Sequence, residues 1–374
     1  MINGQFNLQT ISSHFELKGN YRSSRKYDSG HINDTFLVET EKSGVDEKYI
    51  FQRINHNIFK DPTALMENIS RIIFHLEKIH GQKDSREHLT IIKTKEGKHL
   101  HIDNKGNYWR AYLFIRGART YDVLQNPRQA YEAAKTFGRF QKDLSSMKDK
   151  NLNIIIPDFH DTPKRMARLL EVIEKDPLNR AKIAKEQIDF VLKRADMVNT
   201  VEKLKTEQKI PIIITHNDTK INNVMFDDKT GAGVCVIDLD TVMPGVSLYD
   251  FGDMIRSSGS SSAEDERDLS KVKIRLDVFE SLANGYIDGT GENLNDIEMS
   301  LLPFSGKLIT MEIGIRFLTD FIEGDVYFKV HRINHNLDRC RVQTKLVESI
   351  EKHEEEMEEI VSSLKSQKTW KSKS

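Results

Sequence analysis

The chain has 374 residues, with 56 Lys and Arg against 57 Asp and Glu, a formal net charge of −1. That balance leaves no basic stripe for nucleic acid, and no apolar run is long enough to span a bilayer. The length has room for a large core in two lobes, and two cysteines, Cys235 and Cys340, make no disulfide framework. Met1 to Leu8 lacks the basic and apolar regions of a secretory signal, so a soluble cytoplasmic protein is expected.

Phe6 to Phe15 is patterned for a short helix. Asp28 to Val38 reads as a tight turn between two strands, with Gly30, His31, Asn33 and Thr35 in or beside the turn. A Gly-containing turn with small polar neighbours can lay backbone amides against phosphates, although an ordinary hairpin has the same composition. Tyr49 to Ile54 is the next strand, and its Gln52 and Arg53 point to opposite faces because strands alternate. Either could stand where protein kinases carry a phosphate-binding lysine, and the sequence does not choose between them. Asp61-Pro62 opens a helix running to Ile79, with the Asp as N-cap and an apolar stripe from Leu65 to Ile79. Glu67 on that helix would either pair with a cleft cation or face solvent. Short strands at 89–93 and 99–103 precede a strong one, Tyr108 to Ile115, ending at Arg116-Gly117. Helices follow over Arg128 to Leu144 and, broken near Asp176-Pro177, over Thr162 to Leu204.

The chemistry is concentrated between Pro211 and Asp240. Two apolar runs, Val224 to Phe226 and Val234 to Ile237, flank an Asp-Asp-Lys-Thr-Gly turn and read as paired strands. Ahead of them, Ile212 to Ile214 leads into Thr-His-Asn-Asp, and the second run of the pair ends on Asp-Leu-Asp. Asp218 and Asn223 are five residues apart, and Asp238 lies twenty beyond Asp218. Kinases use this spacing: one Asp orients the acceptor hydroxyl, while an Asn and a second Asp hold magnesium on the phosphates. Asp250-Phe-Gly further on imitates a magnesium motif, but Asp238 already fills that place. Asp250 is expected to cap the next helix or to hold the catalytic loop by hydrogen bonds. Ser257 to Glu266 is a Ser-rich loop, and helices resume over 268–286, 295–304 and 307–323. A last long helix over 337–364 is expected to pack on the C-terminal half of a monomer.

The segments 215–225, 236–245 and 249–256 resemble the aminoglycoside phosphotransferase and choline kinase superfamily, and within it the N-acetylhexosamine 1-kinase family. Gly-His-Ile-Asn-Asp-Thr-Phe at 30–36, Arg-Phe-Leu-Thr-Asp at 316–320 and Gly-Asp-Val-Tyr-Phe-Lys at 324–329 are similar too. The resemblance implies an α+β, bilobal protein-kinase-like fold, with an antiparallel-sheet nucleotide lobe over 1–116 and a helical catalytic lobe over 117–374. It implies ATP-dependent phosphorylation of the anomeric hydroxyl of GlcNAc or GalNAc, with Mg2+ and ATP as the needed partners. Asp218 would be the catalytic base, and Asn223 and Asp238 the metal ligands. Gly30, His31, Asn33, Thr35, Gln52 and Arg53 would lie at the nucleotide, and Ile32, Phe36, Arg316 and Tyr327 at the sugar. Ser257-Ser258 departs from the family pattern, where an aromatic is expected after Arg256.

Overall fold

Residues 6–27, 32–81 and 85–371 are described by the computed structural model, side chains as far as Lys368. Helix α1 (Leu8–Ser12) precedes an antiparallel sheet of β1 (Asn20–Lys26), β2 (Asp34–Lys42), β3 (Val45–Ile54), β4 (Ile91–Ile92), β5 (His101–Ile102) and β6 (Tyr108–Leu113). The order is β1-β2-β3-β6-β4, with β5 also pairing β6. Alternation gives the sheet two different faces. Val38, Tyr49, Phe51, Trp109 and Ala111 face α1 and, with Leu8, Ile11 and Phe15, form a small core. The opposite face carries Thr35, Gln52 and Arg110, which stand in register across three strands.

Helix α2 (Pro62–His80) links β3 to β4. As its sequence requires, Asp61 caps it, accepting from the amides of Thr63 and Ala64 at 3.0 and 2.9 Å. Its apolar stripe joins the main core, which continues through the helical C-terminal part. The strands at 89–93 and 99–103 shrink to two-residue pairings, both on β6.

The C-terminal part contains β7 (Ala118–Arg119), α3 (Pro127–Ser145), α4 (Thr162–Lys175), α5 (Lys185–Leu192), α6 (Thr200–Thr206), β8 (Ile213–Thr215), β9 (Val224–Asp227), β10 (Gly233–Val236) and β11 (Met243–Gly245). Then come α7 (Ser247–Ser258), α8 (Leu276–Thr290), α9 (Asp296–Ser300), α10 (Leu302–Glu323), α11 (His335–Lys352) and α12 (Glu354–Lys371). Helix α10 is buried on nearly every side and packs against α4, α7 and α11. Pro303 opens α10, where its missing N–H is harmless.

The single helix expected over 337–364 is two helices. The chain breaks at His353, whose amide reaches back to Ile350 instead of continuing the ladder. The apolar spacing runs through the break because α11 and α12 bury Ile350, Met357 and Val361 in the same core. Both cysteines are free and buried, and burial pushes each thiol up to about 12. Among the described residues, no helix is long and apolar enough to cross a membrane.

Candidate active site

Strand β8 ends where the reactive loop begins, and the loop is fixed mainly from α7 and from the segment after Asp240. Asp250, buried in the first turn of α7, accepts from the backbone amides of His216 and Asn217 at 3.0 and 2.7 Å. Asp253 accepts from the amide of Thr219 at 2.8 Å and from Arg256 Nε at 2.7 Å. The Asp-Phe-Gly motif therefore holds the loop. Thr241 donates its hydroxyl to the His216 carbonyl at 2.7 Å, and Asn217 donates to the Thr241 carbonyl at 2.9 Å. Asn217 itself sits in the left-handed region, at φ 65°. Gly245 is required beneath it, because a Cβ there would lie 2.9 Å from Asn217 Oδ1 and 2.1 Å from Thr215 Oγ1. From α10, Glu312 pairs with His160 at 2.9 Å, and the second ring nitrogen of His160 meets the Asn217 carbonyl at 3.1 Å. Burial opposes the charge on both partners, yet their attraction raises the His160 pKa and lowers that of Glu312.

The loop delivers Asp218, with Lys220 Nζ 2.8 Å from its carboxylate. Asn223 donates its amide to the Asp218 carbonyl at 2.8 Å and to its carboxylate at 3.2 Å. Burial raises the Asp218 pKa, but Lys220, through its charge and its hydrogen bond, together with His216 and Arg256 holds the group below its ordinary value. Asp238 stands at the start of the short 3-10 turn Leu239–Thr241, at φ 59°, with its side chain not used to cap it. Burial and the carboxylates of Asp240 and Asp218 push it up to about 7. Asp240 is the better satisfied neighbour. Arg110 reaches it with both terminal nitrogens, at 2.5 and 2.9 Å, and Asn33 adds an amide at 2.7 Å. Arg110 also donates to Gln52 at 3.0 Å, and Gln52 donates to Thr35 Oγ1 at 3.2 Å.

Apart from Arg110, which lies behind Asp240, these groups line one cleft with a volume of about 760 Å3. Its apolar end includes Ile50, Leu89, Tyr112, Ile115 and Ile237, its middle holds Asp218, Asn223, Asp238 and Asp240, and its far wall runs through Ser257, Ser258 and Glu264 to Gln343.

Several residues singled out from sequence meet here. Ile32, Asn33, Thr35, Gln52, Asp218, Asn223 and Asp238 line the cleft, whereas Gly30 and His31 lie outside the described residues. Between Gln52 and Arg53, the cleft side belongs to Gln52. Arg53 is turned to the other face, 2.5 Å from Asp34 and over the Phe6 ring. Phe36 shares that face, packed on Phe6 and Trp109, so it does not contribute to the cleft. Glu67 is exposed and takes a hydrogen bond from Asn153 at 3.2 Å. Arg316 and Tyr327 do not line the cleft. The Arg316 guanidinium sits between the rings of Phe159, Tyr327 and Phe328, at 5.7, 5.8 and 5.6 Å.

Three site residues were missed. Lys220 lies two after Asp218, and Asp240 is the second acid of Asp-Leu-Asp. Arg110 is an arginine inside an otherwise apolar strand, a position that demands a buried anion. Among the described residues no three acidic, imidazole or thiol groups converge into a metal cage. The donor set nevertheless fits magnesium, which takes one or two carboxylates and completes its shell with phosphate and water. A cation beside Asp238 would also relieve the repulsion that raises its pKa.

The sequence profile of the phosphotransferase enzyme family matches residues 24–273, and the chain belongs to that family. An aminoglycoside phosphotransferase from Alicyclobacillus acidocaldarius shares the fold with a TM-score of 0.59 at 12% identity, over 98% of each chain. A choline kinase from Cryptosporidium parvum gives 0.54 at 15% identity, over 94% of this chain and 92% of its own. A spectinomycin phosphotransferase solved with ADP and spectinomycin gives 0.52 at 14%, over 91% of this chain and 98% of its own. At these identities the likeness is one of fold: the kinase-like arrangement of an antiparallel sheet on a helical body.

Proposed function

We propose that this chain transfers the γ-phosphoryl group of ATP to the anomeric hydroxyl of an N-acetylhexosamine, GlcNAc or GalNAc. The reading divides the chain into a nucleotide lobe over 1–116 and a catalytic lobe over 117–374. The observation that carries the phosphotransfer is the convergence of Asp218, Lys220, Asn223 and Asp238 in one cleft, with Asp218 held as a carboxylate. The spectinomycin enzyme was solved with ADP, which supports a nucleotide as the phosphoryl donor.

Asp218 orients the acceptor hydroxyl and takes its proton late, as the anomeric oxygen bonds to phosphorus. Lys220 holds positive charge beside that path, where the transferring oxygens gain negative charge. Asn223 and Asp238 are the residues to hold magnesium, which would neutralise the polyphosphate. Asp240 touches the cleft, and Arg110 positions it from behind.

The acceptor reading rests on the resemblance and on the far wall. That wall offers serine hydroxyls, Arg256, Arg275, Glu264 and Gln343. Among the described residues this wall presents no aromatic ring; those that line the cleft, Tyr27, Phe59, Tyr112 and Phe114, belong to other segments, whereas a choline site needs an aromatic cage around the quaternary ammonium. Its acid, Glu264, already faces Arg256 and Arg339, which leaves little for a polycationic antibiotic. Arg316 and Tyr327 enter the reading only through the resemblance. A Tyr327→Phe variant with a raised acceptor KM would bring them to the sugar.

The test is a magnesium-ATP kinase assay over GlcNAc, GalNAc, glucose, galactose, choline, homoserine and kanamycin, with phosphorus NMR of the product. A sugar 1-phosphate from GlcNAc or GalNAc that disappears in Asp218→Asn is the expected result. Turnover of another acceptor alone would keep the Asp218 site and discard the sugar.

A further inference from the structure

The far end of the cleft contains a side chain with an unpaired polar atom. Gln343, on the inner face of α11, is 3% exposed, and its Oε1 has no hydrogen-bond partner among the described residues. It nevertheless lines the cleft, as do Val342, Leu346 and the serines of 257–262. A buried carbonyl left unpaired is costly, so such a group persists where something else completes it. The side chain has little freedom to retreat, because Gly314 of α10 packs directly behind it. A Cβ at Gly314 would lie 3.2 Å from Gln343 Cβ.

We propose that Gln343 binds the acceptor by pairing its carboxamide with an amide substituent, the acyl group of which lies against Val342 and Leu346. A carboxamide presents a donor and an acceptor side by side, and a ligand amide presents the complementary pair. Val342 and Leu346, 3% and 2% exposed, supply an apolar wall for the methyl or short alkyl end of an acylamino group. A bare hydroxyl in the same place would satisfy half of the pair and leave the apolar wall uncovered. The site would therefore prefer an acylated amino sugar to the parent sugar by recognition at the substituent, away from the reacting hydroxyl. This inference rests on the phosphotransfer reading and adds the group by which the acceptor is selected.

The experiment compares the full-length protein with Gln343→Met, which keeps the length of the side chain and removes its polar atoms. Steady-state kinetics are measured with GlcNAc against glucose, and GalNAc against galactose. The kcat/KM preference for the acylated sugar should fall about tenfold, carried by KM, with the KM for ATP unchanged. Gly314→Ala, which displaces Gln343 without altering it, should shift the preference in the same direction. A preference within twofold of wild type overturns the proposal, as does an equal loss on both sugars. Should wild type phosphorylate none of the four, the sugar-kinase reading fails by itself, and binding decides the matter. Saturation transfer to the acetyl methyl of GlcNAc in wild type but not in Gln343→Met would sustain the proposal, and its absence in wild type would overturn it.

Discussion

Replacing Arg110 by Met would strip Asp240 of the guanidinium that neutralises it. The carboxylate is 3% exposed and receives two hydrogen bonds from Arg110, at 2.5 and 2.9 Å, against one from Asn33. After the change it keeps the Asn33 amide and faces Asp238, a second carboxylate already pushed up to about 7. Removing one partner of a buried ion pair costs about 3–5 kcal/mol, and the lost bond to Gln52 adds about 0.5–1.5 kcal/mol. Against a typical domain stability of about 5–15 kcal/mol, the variant should unfold at a much lower urea concentration. Trp109, fully buried beside Arg110, reports the transition by fluorescence. Adding Asp240→Asn removes the stranded charge and should recover most of the loss, giving a coupling energy of about 2–3 kcal/mol. A single variant that loses less than about 1 kcal/mol, or a double variant as unstable as the sum of its parts, would refute the reasoning.

Lys220→Met should move the acid limb of the kcat–pH profile to higher pH, because the ammonium that contributes most to holding Asp218 below its ordinary pKa is gone. The test is the profile at saturating ATP, and an unmoved limb would remove Lys220 from the site. Asp250→Ala leaves the amides of His216 and Asn217 unpaired, at about 1–3 kcal/mol each. It should lower kcat far more than it weakens ATP binding, as calorimetry would show. His160 has a raised pKa when folded, so its charge contributes stability fully below the ordinary histidine range and loses it as pH rises through the folded value. Glu312, with a lowered pKa, contributes above the ordinary glutamate range and loses it as pH falls through its folded value. Urea midpoints between pH 6 and 9 should therefore decline in wild type and change less in His160→Gln. Parallel curves would mean that the pair carries no such linkage.

The legible part of the site is the part written in local order. Asp218, Asn223 and Asp238 fall at the ends of short buried strands, and the spacing between them survives folding almost as a ruler. Alternation also showed that Gln52 and Arg53 face opposite ways. It did not say which face was the cleft, because that depends on α1 and Phe6 covering one side of the sheet. The same packing took Phe36 away from the cleft. The pairing of Arg110 with Asp240 joins residues 130 apart, and no period in either segment encodes the other. The break at His353 escaped for the opposite reason: two helices facing one core keep one apolar rhythm.

Asp240 gives the arrangement a consequence beyond charge balance. It lies two residues after Asp238, on the turn that Asp238 opens, and it is held by Arg110 from β6 and by Asn33 from the segment leading into β2. The sheet that contributes Thr35 and Gln52 to the cleft is thus anchored to the very turn that contributes Asp238. Movement of that sheet relative to the helical part must stretch the Arg110–Asp240 pair or carry Asp238 with it. A strand lysine acting alone would place charge at the phosphates without such a constraint. Here the buried arginine fixes how far the sheet stands from Asp238, and Gln52, hydrogen-bonded between Thr35 and Arg110, ties the cleft-facing side chains of β2 and β3 to the same pair.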